Sequence, residues 1–285
     1  MNSVFNMSTQ TKRHWPAYLA LGFSKSGDRT QMKRMEFQGP LRVQRPFYPE
    51  QDVCHVYLLH PPGGLVSGDD LSIQIHCQSG SHALVTTPSA GKIYKADSHN
   101  IEQKQHVDIE VDNASCEWLP METIVFNGAH GKLTTSVNLH GSAKFVGMDV
   151  FCLGRPKSHL PFTQGSVEQR LSIYQDGKPL LLERQYLAAD DPLLTAVSGF
   201  NGHLVSGMLT VVGLDDAASM VEALRDHFSA DTQGTLSITY RLNVLLVRYL
   251  GDCSEQAQHQ LRTCWAIIRP QLMQRQASAP RIWNT

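Results

Sequence analysis

No stretch of this sequence carries the roughly 18 consecutive apolar residues that a membrane-spanning helix needs. The opening, Met1 to Trp15, is polar and lacks the apolar h-region of a secretory signal. Neither membrane insertion nor export is expected. Charge of one sign is missing too, since 25 Lys and Arg stand against 26 Asp and Glu for a formal net charge of −1. With no overall field to draw it to a phosphate backbone, the chain is not expected to bind nucleic acid. The six cysteines contain no Cys-x-x-Cys pair, and several sit in apolar runs where a thiol acts as a small hydrophobe. A reduced, cytoplasmic chain fits that usage. The 13 histidines offer no His-Glu-x-x-His motif and no helical His-x-x-x-His pair, so no tight metal cage is expected from them.

Helical periodicity is also scarce. It is clean only at Ala217 to Phe228, where Met220, Val221, Leu224 and Phe228 share a face behind an Asp216 cap, and from Ser254 towards Ile268, with Leu261, Cys264, Trp265 and Ile268 apolar. What the chain has in abundance is alternation. Leu71, Ile73, Ile75 and Cys77 alternate with Ser72, Gln74 and His76, and Val107, Ile109 and Val111 alternate with Asp108 and Glu110. Further strands are predicted over 53–59, 83–87, 116–119, 123–126, 133–139, 144–153, 202–212 and 236–249. The clearest hairpin joins Val167–Tyr174 to Pro179–Leu187 through Asp176-Gly177, a pair that readily takes the positive φ such turns need. Strands do not alternate with helices, which excludes a doubly wound sheet and leaves a mainly β chain, a sandwich, barrel or β-solenoid. Residues 1–285 read as a single domain, with 189–207 as the one plausible internal boundary and a C-terminal subdomain possible from about residue 208.

The most unusual segment is His60-Pro-Pro-Gly-Gly-Leu-Val-Ser-Gly-Asp-Asp-Leu71, which ends in adjacent carboxylates. It lacks the Gly-Lys-Ser/Thr and the following helix of a phosphate loop. Ser67 lacks the Gly-x-Ser-x-Gly setting of a hydrolase nucleophile, so a β-rich hydrolase using these loop carboxylates stands only as the alternative function. Asp69 there is either a turn residue accepting backbone amides or a functional carboxylate. A second loop, Thr86 to Lys95, presents Thr87 and Ser89, hydroxyls that commonly satisfy local backbone. Glu122, after Trp118-Leu119-Pro120-Met121, and Glu183, inside Leu180-Leu181-Leu182-Glu183-Arg184, are carboxylates in apolar surroundings. Each needs a partner, whether functional or a plain ion pair such as Glu183 with Arg184.

Taken together and in order, several segments resemble the urease accessory protein family UreD, also called UreH. They are Gly39-Pro40-Leu41, Gln44-Arg45-Pro46-Phe47-Tyr48-Pro49, the His60–Leu71 and Thr86–Tyr94 loops, Trp118 to Glu122, Leu153-Gly154-Arg155-Pro156, Leu182-Glu183-Arg184 and Pro280-Arg281-Ile282-Trp283. Departures are Ser67 for a usual glycine, Lys95 for arginine and Met121 for glutamine. The resemblance implies a β-helix-like stack of many short strands with two helices near the C-terminus. It also implies a non-enzymatic scaffold in urease maturation that binds the urease apoenzyme, recruits UreF and through it the GTPase UreG, and helps pass nickel along an internal tunnel. Carried onto matching positions, Asp69 and Glu183 become the expected tunnel carboxylates on a transient Ni²⁺ path. Thr87 and Ser89 become lining hydroxyls, and His60 a further candidate. No tightly bound cofactor is expected, because a conducting site must hold its ion only briefly.

Overall fold

The computed structural model describes residues 13–228 and 234–284. In chain order its strands are β1 (Trp15–Ser26), β2 (Arg29–Gln38), β3 (Arg42–Val43), β4 (Cys54–Leu59), β5 (Asp69–Cys77), β6 (His82–Thr86), β7 (Gly91–Ile93), β8 (Gln103–Asp112) and β9 (Ser115–Leu119). They continue with β10 (Thr123–Val125), β11 (Ala129–His140), β12 (Lys144–Leu153), β13 (Gly165–Gln175), β14 (Lys178–Ala188), β15 (Val205–Val212), β16 (Thr235–Arg241) and β17 (Val244–Gly251). The helices are α1 (Ala217–His227) and α2 (Ser254–Met273). No helix among the described residues is long and apolar enough to cross a membrane.

From β4 to β13 the chain shuttles between two sheets, and each pass lands parallel to the one before. One sheet has the order β14-β13-β11-β8-β5-β1-β2; the other runs β16-β17-β15-β12-β9-β6-β4-β3. A short third side completes each coil, where Leu65 pairs with Ile93, β7 with β10, and β10 with the end of β12. This is the β-helix-like stack, left open at its edges. Alternation explains it: odd-numbered residues of β5, β8 and β11 point between the sheets, as Leu71, Ile73, Ile75, Val107, Ile109 and Val137 do. A second apolar layer lies on the far side of the larger sheet, where Val146, Met148 and Val150 of β12 meet Leu261, Trp265 and Ile268 of α2 and Leu224 of α1.

Two segments depart from the sequence reading. Trp15 to Gln38 forms β1 and β2, which alternation did not reveal because Leu19, Ala20 and Leu21 of β1 are all buried. The predicted strand over 236–249 is two strands, β16 and β17, folded at Leu242-Asn243, both at positive φ. Helix α2 also runs past Ile268 to Met273, through Pro270, with Leu272 and Met273 buried at its end and the Lys144 ammonium donating to the Leu272 carbonyl at 2.7 Å. β15 pairs antiparallel with β12 from Val205 to Val212.

The Asp176-Gly177 hairpin forms as expected, with φ of +49° and +75°. A Cβ on Gly177 would meet nothing within 4 Å. Gly177→Ala therefore carries only the conformational penalty of a left-handed alanine and is expected to cost about 1 kcal/mol. A lowered urea midpoint with an unchanged slope checks it.

Candidate functional site

The inward face of the smaller sheet changes character along its strands. Towards one end the facing rows are aliphatic, such as Ile75, Ile109, Val137 and Ile173. Two to four residues nearer the other end they turn polar. Leu71, Gln105, Leu133, Gln169 and Gln185 lie in register across β5, β8, β11, β13 and β14, and the next row ends in Thr135, Leu171 and Glu183. Opposite, Asp149 of β12, Met208 of β15 and Arg248 of β17 are also in register on the inward face. The sandwich thus holds a polar belt across its core.

Two cavities open on this belt. One, of about 450 Å³, lies between β13 and β14 on one side and β12, β15 and β17 on the other, and its lining includes Asp149, Gln169, Glu183, Gln185, Ser206 and Arg248. Asp149, Leu171 and Met208 also border a void of about 20 Å³ deeper in, beside Trp118, Thr135 and Thr210. The other cavity, of about 350 Å³, is lined by His60, Gly63, Gly64, Thr87, Ser89 and Gln105, with Leu133 at its inner wall. Leu133 and Thr135 stand two residues apart on the inward face of β11, so the two spaces approach each other along one strand.

His60, Thr87 and Ser89 are brought together, and Asp69 lies near enough for its carboxylate to act on the His60 imidazole. Burial pushes the Asp69 carboxyl up and His60 down from their ordinary values, with their mutual attraction opposing both. One Asp69 oxygen accepts the Val66 N–H at 2.8 Å, the turn role that the sequence offered. The loop's glycines fit it tightly against its neighbours: a Cβ on Gly64 would lie 2.7 Å from Lys92, and Gly68 takes φ +88° with the Arg13 carbonyl 2.6 Å from a would-be Cβ. Thr87 Oγ1 accepts the Met121 N–H at 3.0 Å and donates to the Ser89 carbonyl at 3.2 Å, a local backbone duty at the cavity wall. Ser67 Oγ accepts the Asp97 N–H at 2.8 Å, and Ser67 is buried, which leaves it a structural hydroxyl rather than a nucleophile beside a base.

Glu183 is elsewhere. On the belt it faces the larger cavity, and three strands separate β14 from β5, with Glu183 level with Ile73 and four residues along the strand from Asp69, which places the two roughly 23 Å apart at the usual strand spacings. Its partner is not Arg184, which reaches across the outer face to Glu168 at 2.5 Å, but Arg248 on the opposite sheet. Glu122 accepts a long hydrogen bond from Gln258 Nε2 at 3.4 Å and lines neither cavity.

The residue that sequence reasoning missed is Asp149. It sits in an apolar strand between Met148 and Val150, hydrogen-bonded by Gln169 Nε2, and burial pushes its carboxyl up to about 7 despite that bond and the Val150 N–H. The signal was present: a carboxylate inside a predicted buried strand, the same pattern that singled out Glu183. Asp149 and Glu183 thus stand singly on the belt, and Asp69 lies beyond it beside His60. Among the described residues no three His, Cys, Asp or Glu side chains are gathered closely enough to hold a metal ion together.

The family described as UreD urease accessory protein matches residues 16–284. The urease accessory protein UreD of Chromohalobacter salexigens is 48% identical, over 96% of this chain and 90% of its own. That of Pseudoalteromonas translucida is 47% identical, over 98% and 94%, and that of an Enterobacter species 40%, over 97% and 99%.

Proposed function

Since the chain belongs to the UreD family of urease accessory proteins, we propose that it serves urease maturation as a non-enzymatic scaffold whose interior passes Ni²⁺ towards the urease active site. In this reading it binds the urease apoenzyme in the cytoplasm, recruits UreF and through UreF the GTPase UreG, and holds no resident cofactor. The observation that carries the conducting role is the polar belt, with single carboxylates at Asp149 and Glu183 lining one cavity and Asp69 beside the His60 that lines the other. Nickel is the cargo. Carboxylates met one at a time, with water filling the remaining positions, attract a divalent cation without trapping it.

The defining test compares urease activity and bound nickel in cells carrying the full urease gene set, with and without this chain, at saturating nickel. Collapse of both, restored by complementation, supports the maturation role; normal loading without the chain would end it. Within the chain, Asp69→Ala and Glu183→Ala are each expected to lower nickel delivery several-fold while co-purification with urease apoprotein stays intact. Normal activation in both variants would remove these two residues from the path and leave the scaffold role standing.

A further inference from the structure

Resting on the conducting role just proposed, the geometry points to Arg248 as a built-in counter-cation that gates the larger cavity. It occupies the Glu183 carboxylate until a divalent cation displaces it, and by retaking that carboxylate it keeps the ion's stay short. The two side chains come from facing sheets, Glu183 from β14 and Arg248 from β17, and both line the same 450 Å³ space. They pair directly across it. The neighbouring basic group on its own strand, Arg184, also borders this space but is committed to Glu168.

A structural staple is the plainer reading of such a pair, and the geometry disfavours it. The sheets are already joined by the buried aliphatic rows, and the pair is 43% and 39% exposed, a setting in which an ion pair adds little to stability and opens at small cost. What a guanidinium does strongly in such a place is set an electrostatic barrier to cations. Asp149 lies in register two strands away from Arg248, roughly 10 Å along the same wall, so a cation moving between Glu183 and Asp149 passes the guanidinium. An opposite charge beside a carboxylate changes its affinity for a proton by about one to three powers of ten, and the same field acts on a metal cation competing for the site.

The test is equilibrium dialysis of ⁶³Ni²⁺ against the full-length chain, paired with nickel delivery to urease apoprotein at limiting nickel. Arg248→Met is expected to tighten Ni²⁺ binding by about tenfold and to slow delivery, the ion now being retained. The Arg248→Met/Glu183→Gln double variant should lose the tightening. Arg248→Lys, which keeps the charge, should bind like the unsubstituted chain and guards against a merely misfolded methionine variant. Unchanged binding in Arg248→Met, tightening that survives Glu183→Gln, or equal tightening in Arg248→Lys would each overturn the gate. The conducting role fails separately: normal delivery in Glu183→Gln removes Glu183 from the path, whereas impaired delivery there with unchanged binding in Arg248→Met leaves the path and removes the gate.

Discussion

Asp149→Leu is expected to lower the nickel content of urease by at least about tenfold, with the chain still folded and still bound to its partners. The reasoning is electrostatic. On the conducting role proposed above, a divalent cation in the narrow part of the belt would leave bulk water for a wall of Trp118, Leu171 and Met208, where Asp149 supplies the negative charge. Losing about 1.4 kcal/mol of attraction is a factor of ten, and a carboxylate next to a divalent ion in a partly desolvated cavity is worth at least that. Because burial holds the carboxyl near 7, delivery should rise between pH 6 and 8 as Asp149 ionises, and Asp149→Asn should flatten that rise.

Stability supplies an opposite sign that separates function from folding. A carboxyl raised in the folded state costs stability as pH climbs through its folded value, since the unfolded chain ionises it more easily. Asp149→Asn should therefore raise the unfolding free energy by on the order of 1 kcal/mol at pH 8 while impairing delivery. A variant that both delivers poorly and unfolds early would instead mean that Asp149 organises the core.

The largest expected stability effect lies across the other apolar layer. Arg269 of α2 is fully buried and donates to Glu117 of β9 at 3.0 Å and to Glu50 at 2.7 and 2.8 Å, while His82 meets Glu117 and His55 meets Glu50, each at 2.7 Å. The Trp265 indole adds a hydrogen bond to Glu117 at 2.6 Å. Replacing Arg269 with methionine strands two buried carboxylates, and breaking one side of such a network costs about 4 kcal/mol. For a chain of this size that is a fall on the order of 10 °C in Tm. The pH dependence follows with it. Burial works against charge on Glu117, yet hydrogen bonding from His82 and the Arg269 guanidinium prevail and hold the carboxyl at about 2. The stabilisation is thus complete above the ordinary value of 4.5 and is lost as pH falls from there towards 2. Arg269→Met should flatten that acid limb in urea titrations at pH 6 and pH 3.

Much of this architecture was legible from residue order, and the failures have physical causes. Period-two alternation revealed the strands that bury one face, including β5, β8 and β11, but not β1, whose Leu19-Ala20-Leu21 is buried throughout. The Asp-Gly turn was readable, whereas Leu242-Asn243 carries no glycine to mark its two positive φ values. Asp69 and Glu183 stood out as carboxylates in the wrong company. That they lie roughly 23 Å apart depends on strand order and register, which no local pattern encodes. Arg248 could not be named as the partner of Glu183, nor Arg269 as that of Glu117, because those pairs join residues 65 and 152 positions apart.

That last separation has a consequence during synthesis. At about 5–20 residues per second, roughly 8 to 30 seconds pass between translation of Glu117 and of Arg269. Through that interval the nascent coil carries Glu50 and Glu117 without their guanidinium, and the face formed by Val146, Met148 and Val150 lacks the longer of its two covering helices. A ribosome-bound chain stopped before residue 254 should therefore be a client for holding chaperones, and release of the last helix is the event that ends its dependence on them.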